Sequence, residues 1–284
     1  MTDPATASVF CLQPLAAQVG GHVKIKILNS HLICKPYNQR EHKFYQLIPA
    51  ELRRCVPRYV GTLGVERKES VKYIVLENLT VGLKKACVLD LKMGTRMYSD
   101  SASQSKIESQ KRKSLKTTSA TLGVRFCGFQ RYCIQRNIFE RLDKYVGRDA
   151  DELEFRSLVE HFFSRRGVLR RDVIQCVLDE ILSIKNVLSN LDQMRLYSSS
   201  LLIIYEGIEE EKGGSVDSES FYSLDRDDDD DKLPVVKVKI IDFANAALPE
   251  DDQVHHGPDQ GFLLGLHNLQ QILKHLLSVQ ENIF

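Results

Sequence analysis

The chain has 284 residues, enough for one large domain or two lobes at roughly 100–200 residues per domain, and ample to bury a core. Hydrophobic residues make up 43% and charged residues 27%, which excludes a disordered, collagenous or membrane-threaded chain. Thirty-nine Lys and Arg against thirty-eight Asp and Glu leave a formal net charge of +1, a poor fit to a surface coated for nucleic acid.

Residues 1–20 carry Asp3 and no basic start, which speaks against a secretory leader. Residues 22–28 (HVKIKIL) alternate polar and apolar, residues 31–35 form another extended run, and Asn29-Ser30 between them suits a hairpin turn. Residues 39–47 place charged and aromatic side chains at helical spacing, with Pro49 as the stop. Residues 59–65 and 71–76 read as strands, and 85–91 (KACVLDL) as a buried one, so the front of the chain predicts a small antiparallel sheet with one helix. Residues 106–116 (KIESQKRKSLK) carry a local charge of +4, and 122–132 read as strand again. From about 151 to 198 the pattern turns helical. Leu153, Phe155, Leu158, Val159 and Phe162 share one face, and Val173, Val177, Ile181, Ile184 and Leu188 share another.

Residues 201–205 and 235–243 are apolar β runs. The acidic insert 207–233 between them, with Gly213-Gly214 and five consecutive Asp at 227–231, is expected to form a flexible loop. An amphipathic helix over 262–277 closes the chain. No run reaches the roughly 18 apolar residues of a membrane span. The cysteines at 11, 34, 55, 87, 127, 133 and 176 form no CxxC pair and leave an odd one, which argues against a disulfide framework or a zinc site. Reduced thiols in the cytoplasm, with the nucleus as a second compartment, are the expectation.

Several residues suggest chemistry. Asp242 leaves an apolar strand in KIIDFANA, a rigid mount for Mg²⁺, although a carboxylate capping a strand-to-loop turn is the plainer alternative. Lys35 on a short strand, with Glu41 six residues on, has the make-up of a phosphate-binding cation and the carboxylate that holds it; two surface charges would look the same. The glycines of QVGGH, residues 18–22, would let backbone approach phosphate. In CVLDLKMGTR, strand alternation puts Asp90 and Lys92 on one side of a largely apolar strand, where they must pair or bind something. If 106–116 is helical, Lys106, Lys113 and Lys116 line one side at the density a small polyanion requires; a solvated helix face or a nuclear-import patch has the same charge.

Together these blocks resemble the inositol polyphosphate kinases, and within them the inositol hexakisphosphate kinases. The family signature PxxxDxKxG reads ACVLDLKMG over 86–94, matched except for Ala86 in place of Pro. QVGGH with Cys34-Lys35-Pro36, TSATLGVRFCGFQ over 118–130, YSSSLLIIYEG over 197–207, and residues 240–244 with Gly257-Pro258-Asp259 agree in order and spacing.

The resemblance implies an α+β, two-lobed fold distantly related to protein kinases. An antiparallel N-terminal lobe over 1–78 would clamp ATP, and a mixed C-terminal lobe over 79–284 would bind inositol phosphate through 100–165. It implies that Lys35 holds the ATP phosphates with Glu41 as partner, that the backbone of Glu77 to Leu79 reads adenine, and that Asp90 lies near the ribose. By the same resemblance Lys92 meets the phosphoryl group or substrate, Asp242 carries Mg²⁺, and Lys106, Lys113, Lys116 and Lys144 meet substrate phosphates. Asn245, His256 and Gln260 depart from the family pattern, which would place His, Asp and Arg there.

The activity implied is transfer from ATP onto inositol hexakisphosphate to give a diphosphoinositol pentakisphosphate; a monomer is the default expectation, not one the sequence dictates. The alternatives are a multikinase or trisphosphate kinase acting on ring hydroxyls, and a binding module that does not turn over. Nucleic-acid binding through 106–116 lacks interleaved aromatic stacking platforms.

Overall fold

The computed structural model describes residues 12–20, 23–65, 71–208 and 233–279. Gly21 and His22 of the glycine turn, and most of the acidic insert with its Asp run, lie outside the described residues. Strands β1 (Gln13–Pro14), β2 (Lys26–Ile27) and β3 (Leu32–Pro36) come first. Only two residues of the run predicted over 22–28 pair as strand; the turn after it forms, with Asn29 Oδ1 accepting from both the His31 and Leu32 N–H groups at 2.9 Å. Helix α1 (Gln39–Leu47) starts where Asn38 Oδ1 accepts the Glu41 N–H and stops before Pro49. A 3₁₀ helix over Ala50–Cys55, not read from the sequence, joins it to β4 (Tyr59–Val65) and β5 (Val71–Glu77). These five strands form one antiparallel sheet in the order β1-β2-β3-β5-β4.

Strand β6 (Ala86–Met93) starts the second sheet. It is followed by α2 (Gln104–Ser114), α3 (Ser119–Leu122), β7 (Val124–Cys133), β8 (Ile138–Leu142), α4 (Lys144–Asp149) and α5 (Glu152–Phe163). A two-stranded ribbon, β9 (Ser164–Arg165) and β10 (Val168–Leu169), interrupts the region predicted to be helical, and α6 (Arg171–Ser189) resumes it. Strands β11 (Ser200–Glu206) and β12 (Val236–Ile241) and helix α7 (Gln260–Val279) complete the chain. The second sheet is antiparallel in the order β12-β11-β6-β7-β8.

The α+β class and its antiparallel sheets are those expected. The α6 stripe of Val173, Val177, Ile181, Ile184 and Leu188 is buried as read, and so are Phe155, Val159 and Phe162 of α5. Leu153 is not: it sits in the first turn, 72% exposed, ahead of the turns that reach the core, and Leu158 is only partly buried at its margin.

Both sheets share one apolar cluster, and aromatic rings bridge them. Phe243, just past β12, stacks on Phe44 of α1 with centroids 3.8 Å apart, and Tyr45 meets it edge-on at 5.4 Å. That bridge fixes α1, and Glu41 with it, against the end of β12, where Asp242 emerges.

Candidate active site

A continuous cleft runs between the two sheets, and its halves differ in chemistry. One half is mainly apolar, with Val19, Ile33, Leu76, Val88 and Ile204 among its walls. Glu77, Asn78 and Leu79, which connect the sheets, form part of this wall. The connection is pinned from both sides. The Asn78 N–H donates to His31 O at 2.7 Å, and Lys237 Nζ on β12 donates to Leu79 O at 2.8 Å. The Leu79 N–H donates to no acceptor among the described residues, which leaves a donor in a residue that lines the apolar half.

Lys35, Glu41 and Asp242 stand where the halves join and line both. Lys35 Nζ lies 2.7 Å from Glu41 Oε1 and 2.5 Å from Asp242 Oδ1. Burial alone would lower the Lys35 pKa, but the two carboxylates outweigh it and raise it well above the usual lysine range. For Asp242 burial would raise the pKa, yet Lys35 and Lys92 together hold it below the ordinary carboxylate value, so it is ionised at neutral pH. Lys92 Nζ is 3.9 Å from Asp242 Oδ2 and donates to Ser198 O at 2.7 Å. Asp242 has φ +68 and Ser198 φ +59, left-handed backbone that a non-glycine residue rarely adopts, and the two residues lie on the same cleft.

Asp90 is 3% exposed, and its Oδ1 has no hydrogen-bond partner among the described residues. Gly20, at φ +66, passes directly over it; a Cβ there would stand 2.3 Å from Asp90 Oδ2, so only glycine fits between strand and turn. Burial raises the Asp90 pKa from 3.8 to about 6, with Lys92 opposing and Asp242 adding to the shift. A carboxyl whose pKa is raised on folding favours the native state at low pH. That contribution is lost as pH rises from the unfolded value through about 6. Ionised Asp90 therefore costs about 3 kcal/mol at neutral pH. Asp90→Asn is expected to raise the melting temperature at pH 7.5 and to leave it nearly unchanged at pH 4; equal shifts at both would contradict this environment for Asp90.

The second half is cationic. Besides Lys35 and Lys92 it is lined by Lys106 of α2, Arg125 of β7, and Lys144 and Arg148 of α4, against three carboxylates. Arg125 sits opposite Lys92 in the β6–β7 register, and its Nε is buried without a partner among the described residues. Arg125 and Arg148 were not singled out in the sequence, although both stand inside blocks that were.

Lys106 and Gln110 of the basic segment line the cleft; Lys113 and Lys116, expected to line it too, are exposed outside it. Helical rise explains this: seven residues carry Lys113 about 10 Å further along α2, past the opening. Asp90, expected near a ribose, lines the cationic half beside Lys92, whereas Glu77 and Leu79 line the apolar half.

A divalent cation fits at the junction. Mg²⁺ is usually held by one or two carboxylates with phosphates and water completing the shell, so a cage of three protein ligands, absent among the described residues, is not required. Asp242 Oδ2 lies 3.9 Å from Lys92 Nζ, and both Asp242 and Asp90 line the cationic half of the cleft.

A family model described as inositol polyphosphate kinase matches residues 73–274. The chain is 28% identical over 407 residues to inositol hexakisphosphate kinase 2 of Rattus norvegicus, covering 95% of this chain and 96% of that one. It is 36% identical over 243 residues to inositol hexakisphosphate kinase 1 of Mus musculus, covering 78% and 56%. Among solved structures, the inositol phosphate multikinase Ipk2 of S. cerevisiae, in complex with ADP and Mn²⁺, superposes with a TM-score of 0.69 at 26% identity, over 87% of this chain and all of that one.

Proposed function

Because the chain belongs to the inositol polyphosphate kinase family, we propose that it transfers the γ-phosphoryl group of ATP onto a phosphate of inositol hexakisphosphate, forming a diphosphoinositol pentakisphosphate. The observation that carries this reading is the division of one cleft into an apolar slot and a six-cation half, with Lys35, Lys92 and Asp242 at and beside the join.

The base of ATP occupies the apolar slot between Val88 and Ile204 on one side and Ile33 on the other, with the Leu79 N–H as a donor. Its phosphates run toward Lys35, which Glu41 keeps charged and fixed. Asp242, with the nucleotide phosphates, would hold Mg²⁺, which would supply neutralisation of phosphate charge. Lys92 faces the phosphoryl group in transit, and Arg125, Lys106, Lys144 and Arg148 hold the phosphates of the acceptor. Phosphoryl transfer through a loose transition state asks mainly for positioning and charge neutralisation, which is what these side chains supply. A phosphate acceptor is already ionised and needs no base to take its proton.

Hexakisphosphate is favoured over less phosphorylated inositols by the TSATLGVR block and by the number of cations. The test is incubation with ATP, Mg²⁺ and each inositol phosphate in turn. The expected product from hexakisphosphate carries a new diphosphate ³¹P resonance. Phosphorylation of ring hydroxyls alone would assign the chain to the multikinase-like alternative, and no turnover on any substrate would leave a binding module.

A further inference from the structure

Arg96 lies four residues beyond Lys92 but does not line the cleft. Its guanidinium is used within the protein: Nε donates to Tyr98 O at 3.1 Å, Nη1 to Tyr197 Oη at 3.1 Å and Nη2 to Asp100 Oδ1 at 2.6 Å. Its Cζ lies over both the Tyr98 and Tyr197 rings, 4.5 and 4.0 Å from their centroids. Asp100 is held in turn by His255, whose Nε2 is 2.8 Å from Oδ2. The residue gripped by Arg96, Tyr197, directly precedes Ser198.

Ser198 is the left-handed residue whose carbonyl receives the Lys92 ammonium. Such a conformation persists only where the surroundings over-determine it. The chain on either side is held through Leu196 and Ser199: Asp259 Oδ2 accepts the Leu196 N–H at 2.8 Å, Ser199 Oγ donates to Asp242 O at 3.0 Å, and Ser199 O accepts the Met93 N–H at 3.0 Å. The side-chain restraint next to Ser198 on its N-terminal side is the Arg96–Tyr197 clamp.

We infer that Arg96 is a positioning residue for phosphoryl transfer. Through Tyr197 it holds the Ser198 carbonyl in the orientation that aims Lys92 Nζ at the join of the cleft. This rests on the reading of Lys92 given above. Misplacement of a catalytic group by about 1 Å costs on the order of 100-fold in rate. Arg96→Ala is therefore expected to lower kcat by roughly 10- to 100-fold while the KM for ATP stays within about twofold.

A double-mutant cycle with Lys92→Ala decides the route. If Arg96 acts through Lys92, adding Arg96→Ala to Lys92→Ala lowers kcat by no more than about twofold further. Equal losses in both backgrounds would overturn the inference while leaving the reading of Lys92 intact, and a raised KM with unchanged kcat would overturn it as well. A wild-type kcat in Lys92→Ala overturns both. Should Arg96→Ala fail to fold, Arg96→Lys, which keeps the charge but loses the fork and the stack, enters the same cycle with the same expected outcomes.

Discussion

Asp242→Asn is expected to lower kcat by on the order of 1,000-fold or more while leaving binding of inositol hexakisphosphate within a few-fold of wild type. The substitution keeps the shape of the side chain and an oxygen that can accept from Lys35 Nζ. Lys35 retains Glu41 at 2.7 Å, so no buried cation is stranded. What disappears is the negative charge at the point where the apolar and cationic halves meet, and with it the carboxylate available to a divalent ion. Because Lys35 and Lys92 hold the Asp242 pKa below the ordinary range, the loss should be the same at pH 7 and pH 8. Single-turnover rates together with calorimetric titration of the polyphosphate measure both halves of the expectation. Unchanged turnover would remove Asp242 from the metal site, whereas lost polyphosphate binding would mean the acceptor, too, depends on it.

Lys92→Ala should reduce kcat by roughly 100- to 1,000-fold, comparable to removing one preorganised donor from a developing oxyanion. Its side chain is 18% exposed, with the ammonium 3.9 Å from Asp242 and anchored to Ser198 O, so it is aimed before substrate arrives. Its removal leaves Asp242 still paired with Lys35 and the fold intact. It also removes the stronger of the two cations, Lys92 and Arg125, that oppose the rise in the Asp90 pKa, so Asp90 should titrate above about 6. The measurement is kcat across pH, with the Asp90 carboxyl followed by NMR. A loss confined to KM would show that Lys92 only binds the ground state.

Much of this was legible in the sequence where side-chain period and position coincide. Strand alternation placed Asp90 and Lys92 on one face of β6, and both line the cleft. The helix over 39–47, with Pro49 as its stop, has the bounds expected. The helical stripes failed only at the margin, where Leu153 occupies a first turn that no neighbour covers.

Long-range geometry was not legible. A basic run shows charge but not where a helix ends relative to an opening, so Lys113 and Lys116 were grouped with Lys106. Arg125 carries no local signal of its own; it matters because β7 pairs with β6 and sets it opposite Lys92. Nor could the Arg96–Tyr197 contact be read, since its partners stand 101 residues apart and meet only once β11 pairs with β6.

The most direct measurement is a crystal structure with a non-hydrolysable ATP analogue and inositol hexakisphosphate bound together. The base should lie in the slot walled by Val88 and Ile204. The γ-phosphate should lie between Lys35, Lys92 and Asp242, with the acceptor's phosphates against Arg125, Lys106 and Arg148. A polyphosphate seated instead on the outer face of α2, among Lys111, Arg112, Lys113 and Lys116, would contradict the account.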